Sequence, residues 1–167
     1  MLCWHDMRTL YCLPTVACLV LGAMPVQARL GETEKEIEKR YGPNINLKLT
    51  PGESAREKEG SYSYKGFLIF VSFFDGKSHA ERYTTGEPEG LSDTQIDALL
   101  KANAGEDPWR KVVDKPEQKW WRARGGDVVA CYSKTGLFPQ LMVSTGEYWT
   151  FIGERLEQKA KKGVEGF

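Results

Sequence analysis

The stretch from Ser61 to Phe74 constrains this chain more than any other. It reads Ser-Tyr-Ser-Tyr-Lys-Gly-Phe-Leu-Ile-Phe-Val-Ser-Phe-Phe, dense in the aromatic and β-branched residues that favour strands. Its second half is apolar on both faces, so it must be covered on both sides or lie inside a sheet. Asp75-Gly76-Lys77 supplies a hairpin turn. Ser78 to Thr84 then returns, with strand alternation placing His79, Glu81 and Tyr83 on one face.

Capping signals place three helices around this strand pair. Thr33 and Glu36 form a capping box for a helix over 34–41, with Leu30, Ile37 and Tyr41 as its apolar contacts and Gly42-Pro43 as its stop. Residues 44–60 read as an irregular connection with a brief strand at 45–49. Ser92 and Gln95 form a second box, and Leu91 and Ile96 staple across it. Ile96, Leu99 and Leu100 make that helix's buried stripe, and Gly105 closes it. Ser144 and Glu147 form a third cap for a helix over 145–162, with Tyr148, Ile152 and Leu156 along one face and Phe151 at its edge. Lys159, Lys161 and Lys162 suit the negative end of its dipole.

Three further strands are predicted at 119–124, which holds Trp120-Trp121, at 127–133 and at 140–144. Gly125-Gly126 and Lys134-Thr135-Gly136 turn the chain between them. Short turns make neighbouring strands antiparallel. The expected fold is α+β: a two-layer sandwich of an antiparallel sheet of about five strands, with capped helices on one face and a C-terminal helix.

The amino-terminal residues report an address. An apolar run from Leu10 to Met24, broken by Pro14, precedes Pro25 and then Val26-Gln27-Ala28. That is an export segment of about 15 residues with a small-residue cleavage site, short of the ~20 residues a spanning helix needs. The expected organisation is a signal peptide over 1–28, cleaved after Ala28, one α+β domain over 29–163, and a tail over 164–167. The expected location is secreted or periplasmic, with no stable membrane span in the mature chain. Met7-Arg8 is the more ordinary beginning of such a segment. Thr15-Val16-Ala17-Cys18 offers lipidation at Cys18 as an alternative, and an uncleaved anchor is another.

Charge and cysteine usage exclude several classes. The chain holds 23 basic and 23 acidic residues, and the segment before Arg29 removes one of each, Arg8 and Asp6. A balanced chain lacks the concentrated positive charge that nucleic acid requires. Cys3, Cys12 and Cys18 all precede Arg29, so Cys131 alone remains and no intrachain disulfide can form. Cys131 lies in an apolar strand pattern, where a buried, inert thiol is the simple reading.

The remaining residues offer little chemistry. His79 is the sole histidine after residue 28, so any Ser-His-Asp or Cys-His arrangement must pass through it. Its simple reading is a partly exposed strand residue. One histidine and one cysteine cannot build the usual zinc sites, and there is no D-x-D-x-D-G calcium loop. Gly76-Lys77-Ser78 mimics the end of a phosphate loop but joins two strands, so no nucleotide, metal or other cofactor is expected. The lead that remains is aromatic. Trp120 and Trp121 must point to opposite faces of their strand. Packing of both in the core is one reading; the other is an exposed platform of Trp120, Trp121, Tyr132 and His79 for a partner. The expected role is therefore a non-catalytic interaction module with a protein partner in the bacterial envelope. The alternatives are a small secreted hydrolase using His79 in a deep polar cleft, or a carboxylate pair, and a structural protein whose terminal helix docks in an oligomer.

The segment from Gly31 to Pro43 follows the pattern G-x-T-x-x-x-I-x-x-x-Y-G-P. It resembles the first helix of the SmpA/OmlA outer-membrane lipoproteins and of the wider group built like β-lactamase-inhibitor proteins. The resemblance implies an α+β envelope protein, with Thr33 as helix cap and Gly42 as helix stop. The whole mature chain is also similar to secreted proteins of that general type. That lipoprotein family carries a lipidated cysteine, and cleavage after Ala28 leaves none here.

Overall fold

A computed structural model describes residues 30–45, 57–103, 107–136 and 138–164. The export segment lies outside them, as does nearly all of the brief strand expected at 45–49. Three helices and seven strands follow in the order α1 (Glu34–Tyr41), β1 (Glu57–Tyr64), β2 (Phe67–Phe74), β3 (Lys77–Thr84), α2 (Asp93–Asn103), β4 (Arg110–Lys115), β5 (Gln118–Ala123), β6 (Val128–Ser133), β7 (Gln140–Thr145) and α3 (Gly146–Val164). The strands form one antiparallel sheet in the order β1-β2-β3-β7-β6-β5-β4.

The fold is thus α+β, with seven strands where about five were expected. One extra strand comes from Ser61–Phe74, which is two strands. Lys65 and Gly66 turn the chain with φ of 49° and 82°, the double positive φ of the tight turn that suits strand twist. Lys-Gly is a weak signal for that turn, and the aromatic run reads straight through it. Asp75-Gly76 repeats the geometry, with φ of 49° and 76°, where it was expected. The other extra strand is β4, Arg-Lys-Val-Val-Asp-Lys, whose side chains are mostly exposed. Its charges hide it from a hydrophobic reading, and they suit a free sheet edge. At the opposite edge β1 is partly covered: Ser61 N–H donates to Asn44 Oδ1 at 3.2 Å, and Ile45 N–H donates to the Ser61 carbonyl at 2.8 Å.

Each half of the chain runs from an outer edge inward, and the halves meet where β3 pairs with β7, Tyr83 opposite Leu141 and Glu81 opposite Val143. Following that register, one face carries Tyr62, Ile69, Val71, Phe73, Tyr83, Leu141, Val143, Tyr132, Ala130 and Trp121. These pack with Ile37 and Tyr41 of α1 and Ile96 and Leu100 of α2. Full burial of each such aliphatic side chain contributes roughly 1.5–3 kcal/mol. The helix α3 lies on the other face, where Phe151 meets Phe74 and Trp149 meets Trp120. Helices therefore lie on both sides of the sheet.

The caps behave largely as read. Thr33 N–H donates to Glu36 Oε2 at 2.8 Å, and that bond holds the Glu36 carboxyl below its ordinary value. Ser92 and Gln95 bond reciprocally, at 2.8 and 3.3 Å. The cap of α3 is one residue later than expected: Ser144 is buried in β7, and Thr145 Oγ1 accepts from Tyr148 N–H at 3.2 Å. Ahead of α2, Gly90 has φ of 74°, and a Cβ there would come within 2.4 Å of Pro139. Only glycine allows the chain to pass that close to the β6–β7 connection.

Candidate interaction surface

The four aromatic and imidazole side chains proposed for a platform are divided between the two faces. Trp121 is 5% exposed and Tyr132 2%, both in the core beneath α1 and α2. Tyr132 Oη donates to the Leu91 carbonyl at 3.5 Å. Trp120 and His79 lie on the α3 side and are half-buried. Strand alternation separates the two tryptophans as expected. His79 differs from its expected place beside Glu81 and Tyr83. The pairing of β2 with β3 shifts between Ser72 and Phe73, so Phe73 faces Ser78 and Ser72 faces Ala80. His79 is the extra residue of this bulge, and it turns toward α3 while Glu81 and Tyr83 turn away.

On the α3 side, one cross-strand row runs through Trp120, Cys131, Met142, Arg82 and Phe70. Trp120 packs on Trp149 with ring centroids 5.6 Å apart. Arg82 lies over the Phe70 ring, 5.4 Å from its centroid, and pairs with Glu59. Trp120, Met142, Arg82 and Phe70 are all half-buried. Cys131 is 7% exposed, and burial pushes its thiol above the ordinary cysteine value, which fits the inert reading. Met142, Arg82 and Phe70 escaped sequence reasoning because their common row exists only once the register is known.

A second feature lies at the β2–β3 turn end of the same face. Phe74, His79, Glu147, Tyr148, Thr150, Phe151 and Glu154 line a groove of about 210 Å³. His79 Nδ1 is 3.2 Å from Thr145 Oγ1 and 3.8 Å from Glu147 Oε2, and its ring meets Phe74 edge-on. The walls are largely aromatic.

The other face holds a perturbed carboxylate. Glu81 has no exposed surface and accepts from Tyr41 Oη at 2.7 Å, from Tyr83 Oη at 2.5 Å and from Arg40 Nη1 at 3.5 Å. Asn103 Nδ2 donates to Tyr83 Oη at 3.3 Å. Arg40 also pairs with Glu32. Burial pushes the Glu81 carboxyl up, against the pull of the two phenols and of Arg40. Burial and the adjacent carboxylate push the phenols of Tyr41 and Tyr83 up as well. Glu81, Tyr41, Tyr83 and Asn103 are buried, while Arg40 and Glu32 reach solvent in part, and the cluster joins α1 and α2 to β3.

Among the described residues, no group of three or more His, Cys, Asp or Glu side chains could hold a metal ion, and no helix is long and apolar enough to cross a membrane. No protein-family model matches the chain, and no curated protein sequence matches it. Among solved structures, a cysteine-rich secretory protein from Staphylococcus aureus superposes with a TM-score of 0.40 at 12% identity. The match covers 71% of this chain and 44% of that one, so this chain spans less than half of that protein's length. A likeness of that order carries no functional argument.

Proposed function

We propose that this is an exported bacterial protein, periplasmic or secreted, that acts without catalysis as a protein-interaction module of the envelope. The observation that carries the reading is the α3-side row: Trp120 on Trp149, with Met142, Arg82 and Phe70 beside it, all half-buried. Trp, Met and Arg are the side chains that protein interfaces favour. The apolar run before Ala28 supports export, and the Gly31–Pro43 resemblance supports an envelope setting.

Both parts are testable in a bacterial host. Export predicts a periplasmic or secreted species beginning at Arg29; an unprocessed cytoplasmic chain would refute it. Binding predicts that the processed chain retains a stoichiometric partner from envelope extract. Trp120→Ala should weaken that retention at least about tenfold, in the range of an aromatic hot spot, when assayed well below the variant's own melting temperature, which the lost Trp149 contact lowers. Equal retention by Trp120→Ala would refute this surface.

A further inference from the structure

We propose that the groove between α3 and the β2–β3 hairpin is a receptor for an arginine side chain of a protein partner. This rests on the interaction-module reading and adds a second contact, away from Trp120. The walls are rings: Phe74 and Phe151 lie 5.0 Å apart between centroids, His79 stands edge-on to Phe74, and Tyr148 completes the lining. The charged atoms at the rim are carboxylates. Glu147 and Glu154 are seven residues apart on α3, about 10 Å along its axis and on one face.

Those two carboxylates lack the pairing that surface helices usually provide. The positions three and four residues away hold Val143, Ser144, Thr150 and Phe151 for Glu147, and Thr150, Phe151, Glu157 and Gln158 for Glu154. None is a cation, so neither acid has a helical ion-pair partner. Thr150, between them, donates its hydroxyl to the Gly146 carbonyl at 3.4 Å. Among the described residues, Glu147 is paired with the His79 ring, at 3.8 Å. By contrast, the nearby Glu57 is bound by Arg155 at 3.2 Å. Aromatic walls with acids at the mouth select a flat cation. Guanidinium stacks on ring faces and bonds carboxylates in its own plane, which an ammonium does not do. A volume near 210 Å³ suits one such side chain.

The test uses the full secreted chain and two small probes, N-acetyl-argininamide and its neutral isostere N-acetyl-citrullinamide. Titration followed by NMR should give saturable shifts at His79 and Phe151 with the arginine probe, and binding at least about 5-fold weaker with citrulline. The double variant Glu147→Gln/Glu154→Gln should lose that preference while keeping its melting temperature. Trp120→Ala should keep it, which separates failure of the groove from failure of the Trp120 surface. Equal binding of the two probes would overturn the proposal, as would a preference that survives in the double variant. So would the absence of saturable shifts for arginine at 100-fold the concentration of the protein.

Discussion

Glu81 is a carboxylate sealed from water, and its neighbours explain how it is tolerated. Two phenol hydroxyls and the Arg40 guanidinium replace its hydration, since an unpaired buried charge would cost several kcal/mol. Burial still wins over those partners, and the carboxyl is raised from its ordinary value of 4.5. The folded state therefore holds a proton more tightly than the unfolded state does. Stability from this group is fully present below the unfolded value and is lost as pH rises through the folded one. Urea unfolding of the native protein and Glu81→Gln from pH 4 to 8 measures this directly. The native protein's stability relative to the variant should be greatest at pH 4 and fall as pH rises. A pH-independent difference would show that Glu81 keeps its ordinary value. Sequence alternation put Glu81 and Tyr83 on one face, but nothing in the sequence brings Arg40, Tyr41 and Asn103 to them.

At the scale of elements, caps were legible and turns only partly so. The Ser92–Gln95 box needs residues three apart and no tertiary contact, so sequence suffices to place the start of α2. Ser92→Ala should cost about 1 kcal/mol in urea unfolding, and a loss below a few tenths would show that the cap is idle. The hairpin at Lys65-Gly66 was not legible. Its turn chemistry is weak, and the strands it joins share one apolar run. The bulge in β3 was equally hidden. A one-residue slip changes the face of every preceding side chain, and only pairing with β2 shows that it occurs. That slip sends His79 to the groove and leaves Glu81 in the core.

Across the whole molecule, α3 matters because among the described residues it is the helix that covers its side of the sheet. Phe74 and Trp120 each pack on an α3 ring, and Arg155 ties the helix to Glu57 of the edge strand β1. A chain ending at Thr145 would bare that side. It should bind a hydrophobic dye such as ANS and associate with rising concentration in light scattering. A monomeric truncation with cooperative melting would show that the sheet and the two other helices are self-sufficient.

What the sequence determined on its own is everything governed by neighbours a few residues apart. The α1 boundaries, the two capping boxes, the Asp75-Gly76 turn, the opposed faces of Trp120 and Trp121 and the α+β class all follow from local periodicity and turn chemistry. Tertiary structure decided the rest. The central β3–β7 pairing, the seven-strand order, the Glu81 cluster and the split of Trp120 and His79 from Trp121 and Tyr132 depend on which distant strands pair and in which register. Register is set by packing of whole faces against helices, and no window of sequence contains both partners of such a contact.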